Sequence, residues 1–238
     1  MSRSKRLKQG TGNDLYKDNK ITVVIPCLNE EQGIRKVLSA LPPFVDEVIV
    51  VDNNSTDRTA DVASAMGATV FRELHRGYGR AYKKGFAHAQ GDIIVTLDGD
   101  HSYPADALSY LLEAFLHSGV KFLSASRLPL LTPDAMARKN WVGNIVLSLA
   151  MSVLFFQWVQ DSQSGMWVFE RRALDKMKLT SDGMAFSEEI KIEAIRNREI
   201  GFREIFINYS QRIGENKLEP WRDGIRNLLF MVRKRLSP

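Results

Sequence analysis

Apolar and polar positions alternate in blocks through the first hundred residues, and the blocks change period. Ile21–Pro26, Glu47–Asp52, Thr69–Phe71 and a run that starts at Ile93 are short, apolar and rich in β-branched residues, which predicts strands. Pro26 is expected to halt the first, because proline cannot continue a ladder. Behind Asn29 and Gln32, a capping-box pair, Ile34, Val37, Leu38 and Leu41 recur at helical spacing until Pro42-Pro43. The turn Asn53–Asp57 leads into a second helix ending near Gly67, and Tyr78–Ala89 reads as a third. This alternation predicts an α/β fold with an open, doubly wound sheet, and residues 21–100 read as its nucleotide-binding half.

Past Asp100 the alternation loosens. Pro104–Ser118 is helical by its apolar spacing, and Phe122–Ser126 is a strand leading to Arg127. Gly165–Glu170 reads as a strand, Arg172–Met177 as a short helix, and Glu188–Asn197 as a helix that Ser187 caps. Phe202–Tyr209 is a last strand, and Pro220 opens a basic helix with Ile225, Leu228, Leu229 and Val232 on one side. Val142–Val159 carries no charge and, at about 18 residues, touches the lower limit for a membrane span. Asn144, Ser148 and Ser152 line one face of it, so the segment is amphipathic, with Ile145, Leu149, Val153 and Phe156 elsewhere. Without an internal repeat or a low-complexity linker, residues 21–238 read as one domain, and Met1–Lys20, polar and aperiodic, as a flexible basic tail.

Composition adds a partner class and a compartment. Among 238 residues, 33 Lys and Arg against 28 Asp and Glu give a net charge of +5, part of it at the ends in Arg3, Lys5, Arg6 and Lys8 and in Arg233-Lys234-Arg235. Such ends suit a solvated tail or an anionic membrane, and no nucleic acid partner is expected. One cysteine, Cys27, excludes an internal disulfide and fits a reducing compartment. No apolar segment opens the chain, so no secretory signal is expected.

The densest chemistry lies at Ile93–Asp100, a buried strand that runs into two carboxylates separated by Gly99. In open α/β sheets the C-terminal strand edge is where ligands bind. Asp98 and Asp100 with no basic residue between them suit a hard divalent cation, which takes one or two carboxylates and completes its shell with water and phosphate oxygens. Asp-Gly and Gly-Asp are also ordinary turn dipeptides. Gly99 is expected to let a ligand approach the backbone closely.

Three motifs in order, Val24–Glu31, Val51–Asp57 and Leu97–Asp100, resemble those of inverting family 2 glycosyltransferases of the GT-A fold. Arg76–Ala81, Asp161–Met166 and Arg212–Leu218 are similar to segments of the dolichol-phosphate mannose synthase branch. The resemblance implies a mostly parallel, Rossmann-like sheet, a GDP- or UDP-linked sugar as donor, and dolichyl or polyprenyl phosphate as acceptor. It places the base and ribose at Pro26, Asn29, Glu30 and Asp52, and Mg2+ or Mn2+ on Asp98 and Asp100. Asn53 stands where the family usually has a second aspartate, and Ser102 where mannose synthases often carry glutamine. Some relatives carry C-terminal transmembrane helices, and none is expected within these residues.

The acceptor decides what else the site needs. A hydroxyl requires a general base, whereas a phosphate monoester with a second pKa of about 6 is already anionic at neutral pH. It needs positive charge instead, for which Arg127, Arg138, Arg212 and Lys217 are the candidates, and Arg76 and Arg80 are candidates for the donor diphosphate. Asp98, Asp100, Arg127 and Arg212 are expected to carry catalysis. If Val142–Val159 crossed a bilayer, Asp98 and Arg212 would lie on opposite sides, so that segment is expected to lie inside the protein or along a membrane surface. The leading expectation is a cytoplasmic, peripheral enzyme making a lipid-linked monosaccharide, with mannose ahead of glucose or N-acetylglucosamine. The alternatives are transfer to a sugar hydroxyl with Glu188 or Glu189 as base, and a non-catalytic partner that binds nucleotide sugar.

Overall fold

The computed structural model describes residues 18–214 and 220–237. Seven strands, β1 (Ile21–Cys27), β2 (Glu47–Asp52), β3 (Thr69–Arg72), β4 (Ile93–Thr96), β5 (Phe122–Ser126), β6 (Trp167–Glu170) and β7 (Arg203–Phe206), form one sheet in the order β3-β2-β1-β4-β6-β5-β7. β6 runs antiparallel to both its neighbours and every other pairing is parallel. Among the described residues seven α-helices accompany them: α1 (Glu31–Ala40), α2 (Thr59–Ala65), α3 (Tyr78–His88), α4 (Leu108–Ser118), α5 (Arg138–Phe155), α6 (Phe186–Arg196) and α7 (Pro220–Leu236).

The sheet is covered on both faces, which explains why β1 and β4 are buried along almost their whole length and, apart from Thr22 and Thr96, apolar instead of alternating. Val23 and Ile25 pack in one core with Ile34 of α1 and Leu111 and Phe115 of α4. Val24 and Ile94 point the other way, into a core with Tyr82 and Phe86 of α3 and Phe186 and Ile190 of α6. A third, smaller core joins Leu147 and Met151 of α5 to Ile192 of α6 and Met231 of α7. Because β1, β2 and β4 are parallel and in register, Cys27 beside Asp52 and Val24 beside Thr96, their C-terminal ends share one edge, and the loops that follow them converge there.

Several local expectations are corrected. Pro26 does not stop β1, which continues to Cys27. The carbonyls of Ile21 and Cys27 accept from Asp46 and Asn53 on the β2 side, so Pro26 faces β4, whose pairing has already ended, and its missing N–H costs no ladder bond. Asn29 is not a helix cap: it sits at φ 52°, accepts the Thr56 N–H at 2.7 Å and so ties the β1–α1 loop to the β2–α2 loop. Ser187 is likewise no cap but a buried residue within α6, which starts at Phe186. Gly99 makes room for the protein itself, since a Cβ there would lie 2.5 Å from Cys27 Sγ, and Gly33 of α1 similarly admits the Gly99 carbonyl. Residues 1–17, most of the expected tail, lie outside the described residues.

Candidate active site

Two carboxylates project from the end of β4, and they are held differently. Asp100 accepts from the Ser102 amide at 2.9 Å and the Ser102 hydroxyl at 2.6 Å through one oxygen, an Asx-type turn that His101 completes with φ 62°. Its other oxygen lies 3.3 Å from Arg212 Nη2, which also sits 3.4 Å from Glu30 Oε1. Arg212 arrives there because the segment after β7 folds back over the sheet edge, Ser210 and Ile213 donating to the carbonyls of Ser102 and Asp100. Asp98 has weaker partners, the Tyr78 and Tyr82 hydroxyls at 3.5 Å each. Burial, and next to it the Asp100 charge, push the Asp98 carboxyl up to about 7.

Arg127 follows β5 and reaches the same region on a fixed mount. Its Nε and Nη2 donate to Asp161 Oδ2 and Oδ1 at 2.7 and 2.8 Å, and its own amide donates to Asp161 Oδ2 at 2.9 Å. Burial alone would raise the pKa of Asp161, yet the Arg127 guanidinium holds it well below the usual carboxylate range. Asn144 of α5 donates to Asp161 Oδ1 at 2.7 Å, so the buried anion is fully solvated by protein. The loop that carries Asp161 is fastened from two sides. The Lys191 ammonium, fully buried on α6, donates to the carbonyls of Asp161, Ser162 and Ser164 at 2.9, 2.8 and 2.9 Å. Burial lowers its pKa to about 8. From the sheet, Thr96, two residues before Asp98, donates to the Gly165 carbonyl at 2.7 Å.

A cavity of about 450 Å³ opens from this cluster between the first halves of α5 and α7. Arg127, Arg212, Tyr209 and Gln163 line it with Asn144 and Asn227, and the Tyr209 ring lies 5.2 Å from the Arg127 guanidinium carbon. Among the described residues Arg212 Nε and Glu188 Oε2 are buried without a hydrogen-bond partner. The other Glu188 oxygen accepts from Gln163, and burial raises its pKa to about 7. Glu189 is committed to structure: it accepts from Thr180, Ser181 and Lys234.

The structure thus gathers Glu30, Asp98, Asp100, Arg127 and Arg212, and leaves other sequence candidates apart. Asp52 lies at the same edge but takes the Ser55 amide at 3.2 Å and Arg72 Nε at 3.4 Å. Pro26 and Asn29 stand at the end of β1 beside it. Arg80 is turned away to Asp182 at 2.6 Å, and Arg76 is exposed on the loop between β3 and α3. Asn53 shapes that loop, donating to the Glu73 and His75 carbonyls at 3.3 and 2.9 Å and accepting from Gly77 at 2.8 Å; an aspartate could not donate. Arg138 does not join Arg127 and Arg212: it borders a groove on the opposite side of α5, with Trp141, Leu149 and Trp158. Lys217 lies outside the described residues. Sequence reading missed Asp161, Asn144 and Lys191 as a unit, because buried polar groups 17 to 47 residues from one another give no local pattern.

The donor set fits a divalent cation. Among the described residues no group of three metal-ligating side chains forms a closed cage. Two neighbouring carboxylates, one of them with its pKa raised by burial and then by the other's charge, are nevertheless a half-shell that a cation and phosphate oxygens could complete.

A family model, Glycosyl transferase family 2, matches residues 22–178. The chain belongs to this family. As a family 2 glycosyltransferase it is 32% identical over 212 residues to a dolichyl-phosphate hexose transferase of Haloferax volcanii, covering 88% of this chain and 91% of that one. It is 34% identical over 219 residues to the low-salt glycan biosynthesis hexosyltransferase Agl6 of the same organism, covering 89% of this chain but 53% of that relative, so it spans about half of Agl6. Among solved structures, glucosyl-3-phosphoglycerate synthase from Mycobacterium tuberculosis, in complex with Mn2+, uridine diphosphate and glucosyl-3-phosphoglycerate, superposes with a TM-score of 0.76 over 99% of this chain and 86% of that one, at 22% identity. That likeness establishes the GT-A architecture.

Proposed function

We propose that this glycosyltransferase moves one hexose, mannose before glucose or N-acetylglucosamine, from a GDP- or UDP-linked sugar to dolichyl or polyprenyl phosphate at a membrane surface. The observation that carries the reading is an arginine-lined cavity bounded by two helices whose apolar faces point outward. On α5, Val146 is 55% and Val153 72% exposed, while Asn144 is 2% exposed. On α7, Ile225, Leu229 and Val232 are outward, while Asn227 and Met231 are buried. No described helix is long and apolar enough to cross a membrane. An outward apolar stripe beside the basic last turn of α7, Arg233 to Arg235, suits a peripheral seat on an anionic cytoplasmic membrane face.

In this reading Pro26, Asn29, Glu30 and Asp52 border the base and ribose, and Asp98 and Asp100 hold Mg2+ or Mn2+ against the donor diphosphate. Such a cation supplies Lewis-acid stabilisation of the departing diphosphate oxygen. Arg127, immobilised by Asp161, and Arg212, with a buried unpartnered Nε, hold the acceptor phosphate. An acceptor phosphate oxygen attacks the anomeric carbon opposite the leaving group, a C–O bond to the nucleotide breaks, and configuration inverts. No proton has to be removed, so no base is needed.

A second reading has one observation in its favour. Glu188 carries an unpartnered buried oxygen and a pKa of about 7, near the value a general base for a hydroxyl acceptor would have. Incubation with membranes and labelled GDP- and UDP-sugars, followed by lipid extraction, separates the two. Label entering the lipid phase, and surviving Glu188→Gln, supports phosphate transfer; label confined to water-soluble or polysaccharide products refutes it.

A further inference from the structure

We propose that the acceptor cavity has a dedicated exit for a polyisoprenyl chain between the first halves of α5 and α7, held open by Gly143 and Gly224. This rests on a lipid phosphate being the ligand. Glycine is the poorest helix residue after proline, so one inside a helix asks for a reason. The glycines in the other helices have one. A Cβ at Gly33, Gly79 or Gly85 would stand 2.4 Å from the Gly99 carbonyl, the Ser181 carbonyl or a Val24 methyl. Gly143 and Gly224 are different: neither has a left-handed φ, and among the described residues nothing lies within 4 Å of the Cβ either would carry. Neither backbone conformation nor packing among the described residues explains them.

Their position does. Both line the cavity that holds Arg127 and Arg212. Further along the same two helices the space is closed by Leu147, Met151 and Met231. The gap therefore lies at the glycine end, next to Val142 on α5 and Ile225 on α7, which are 51% and 60% exposed. One end offers guanidinium groups, with Arg212 Nε buried and without a partner among the described residues; at the other, Lys139, Asn140 and Asp223 share the lining with the two glycines, and exposed Val142 and Ile225 stand beside them on the outer faces of the helix pair. A ligand matching both ends has an anionic head and a single hydrocarbon chain longer than the cavity. A water-soluble acceptor matches the inner end alone.

The test compares binding of undecaprenyl phosphate and geranyl phosphate, each in detergent micelles, by tryptophan fluorescence of the full chain and of Gly143→Leu, Gly224→Leu, the double variant and the two alanine variants. Leucine and alanine are better helix formers than glycine, so thermal unfolding should not move downward. We expect the native protein to prefer undecaprenyl phosphate. The ratio of the two Kd values should shift against the long chain at least tenfold in the double leucine variant and two- to threefold in the alanine variants. A native protein without chain-length preference, or a double leucine variant with the native ratio, overturns the exit. Transfer from labelled nucleotide sugars is measured in parallel: if leucine weakens the long lipid and no glycolipid forms with the native enzyme, the exit stands and the transfer reading fails.

Discussion

Asp161→Asn is the substitution for which the structure gives the clearest magnitude. The carboxylate is fully buried and accepts from the Arg127 amide and guanidinium, from Asn144 and from the Gln163 amide. An asparagine of the same shape removes the charge, leaves Arg127 with an uncompensated buried guanidinium, and turns one acceptor oxygen into an N–H2 facing donors. Breaking a buried ion pair from one side costs about 3–5 kcal/mol. For a chain of this length about 2–4 °C of melting temperature go with each kcal/mol, so the midpoint should fall by roughly 6–20 °C. The assay is thermal unfolding of the native protein, Asp161→Asn, Arg127→Met and the double variant. Replacing both partners removes the uncompensated charge, so the double variant should be more stable than the sum of the two losses predicts, by about 2 kcal/mol or more. Because Arg127 holds the Asp161 pKa low, the advantage of the native protein over Asp161→Asn should persist from pH 8 down to pH 4 and shrink only in stronger acid. A single variant melting within 2 °C of the native protein would refute the claim that Asp161 is what mounts Arg127.

Glu188→Gln should raise stability at pH 8 and leave it nearly unchanged at pH 5. The folded pKa of about 7 lies above the usual 4.5, so the stability tied to the protonated form is full below pH 4.5 and lost as pH rises through 7. With about 1.4 kcal/mol to each tenfold in acidity the gain at pH 8 is at most about 3 kcal/mol, and equal melting shifts at both pH values would contradict it. Anionic liposomes should sediment the protein, and Leu149→Asp or Val153→Asp should weaken sedimentation roughly tenfold or more, since burying each side chain is worth about 1.5–3 kcal/mol; sedimentation unchanged in well-folded variants would remove the membrane seat. Chelation should stop sugar transfer, with Mg2+ or Mn2+ restoring it in the native enzyme; Asp100→Ala should leave it down by roughly a hundredfold or more. Transfer by Asp100→Ala that is undiminished in chelator would show that no cation acts there.

The nucleotide half was legible because its signals are local. Strands from Ile21, Glu47, Thr69 and Ile93 emerge within a residue or two of where β-branched runs place them, and periodicity locates α1 and α3. Caps were read less well. Asn29 and Ser187 have the right chemistry for helix starts, but tertiary partners, Thr56 for one and burial in α6 for the other, claimed them. The carboxylates Asp98 and Asp100 announce themselves by spacing, whereas grouping Arg138 with Arg127 and Arg212 failed because sequence carries no information on which side of α5 an arginine stands. β6, inserted antiparallel between β4 and β5, is invisible to patterning, since a buried strand reads the same in either direction.

α5 shows why an amphipathic period cannot by itself say which stripe faces the protein. Asn144, Ser148 and Ser152 recur every four residues, and on an ordinary surface helix such a stripe meets water. Here it turns inward, because the loop before β6 presents polar groups that need partners away from solvent: Asp161 takes the Asn144 amide, the Ser162 amide donates to Ser148 at 2.9 Å and the Val159 amide to Ser152 at 3.0 Å. A buried guanidinium requires a buried carboxylate, the carboxylate requires further donors, and α5 supplies them at the expense of pointing Val146, Leu149 and Val153 outward. α7 repeats the inversion with Asn227 bonded to Gln163 and Lys234 to Glu189 and Glu193. The buried charge and the exposed apolar surface are thus two sides of the same pair of helices, and a substitution that releases Asn144 or Asn227 inside should disturb both.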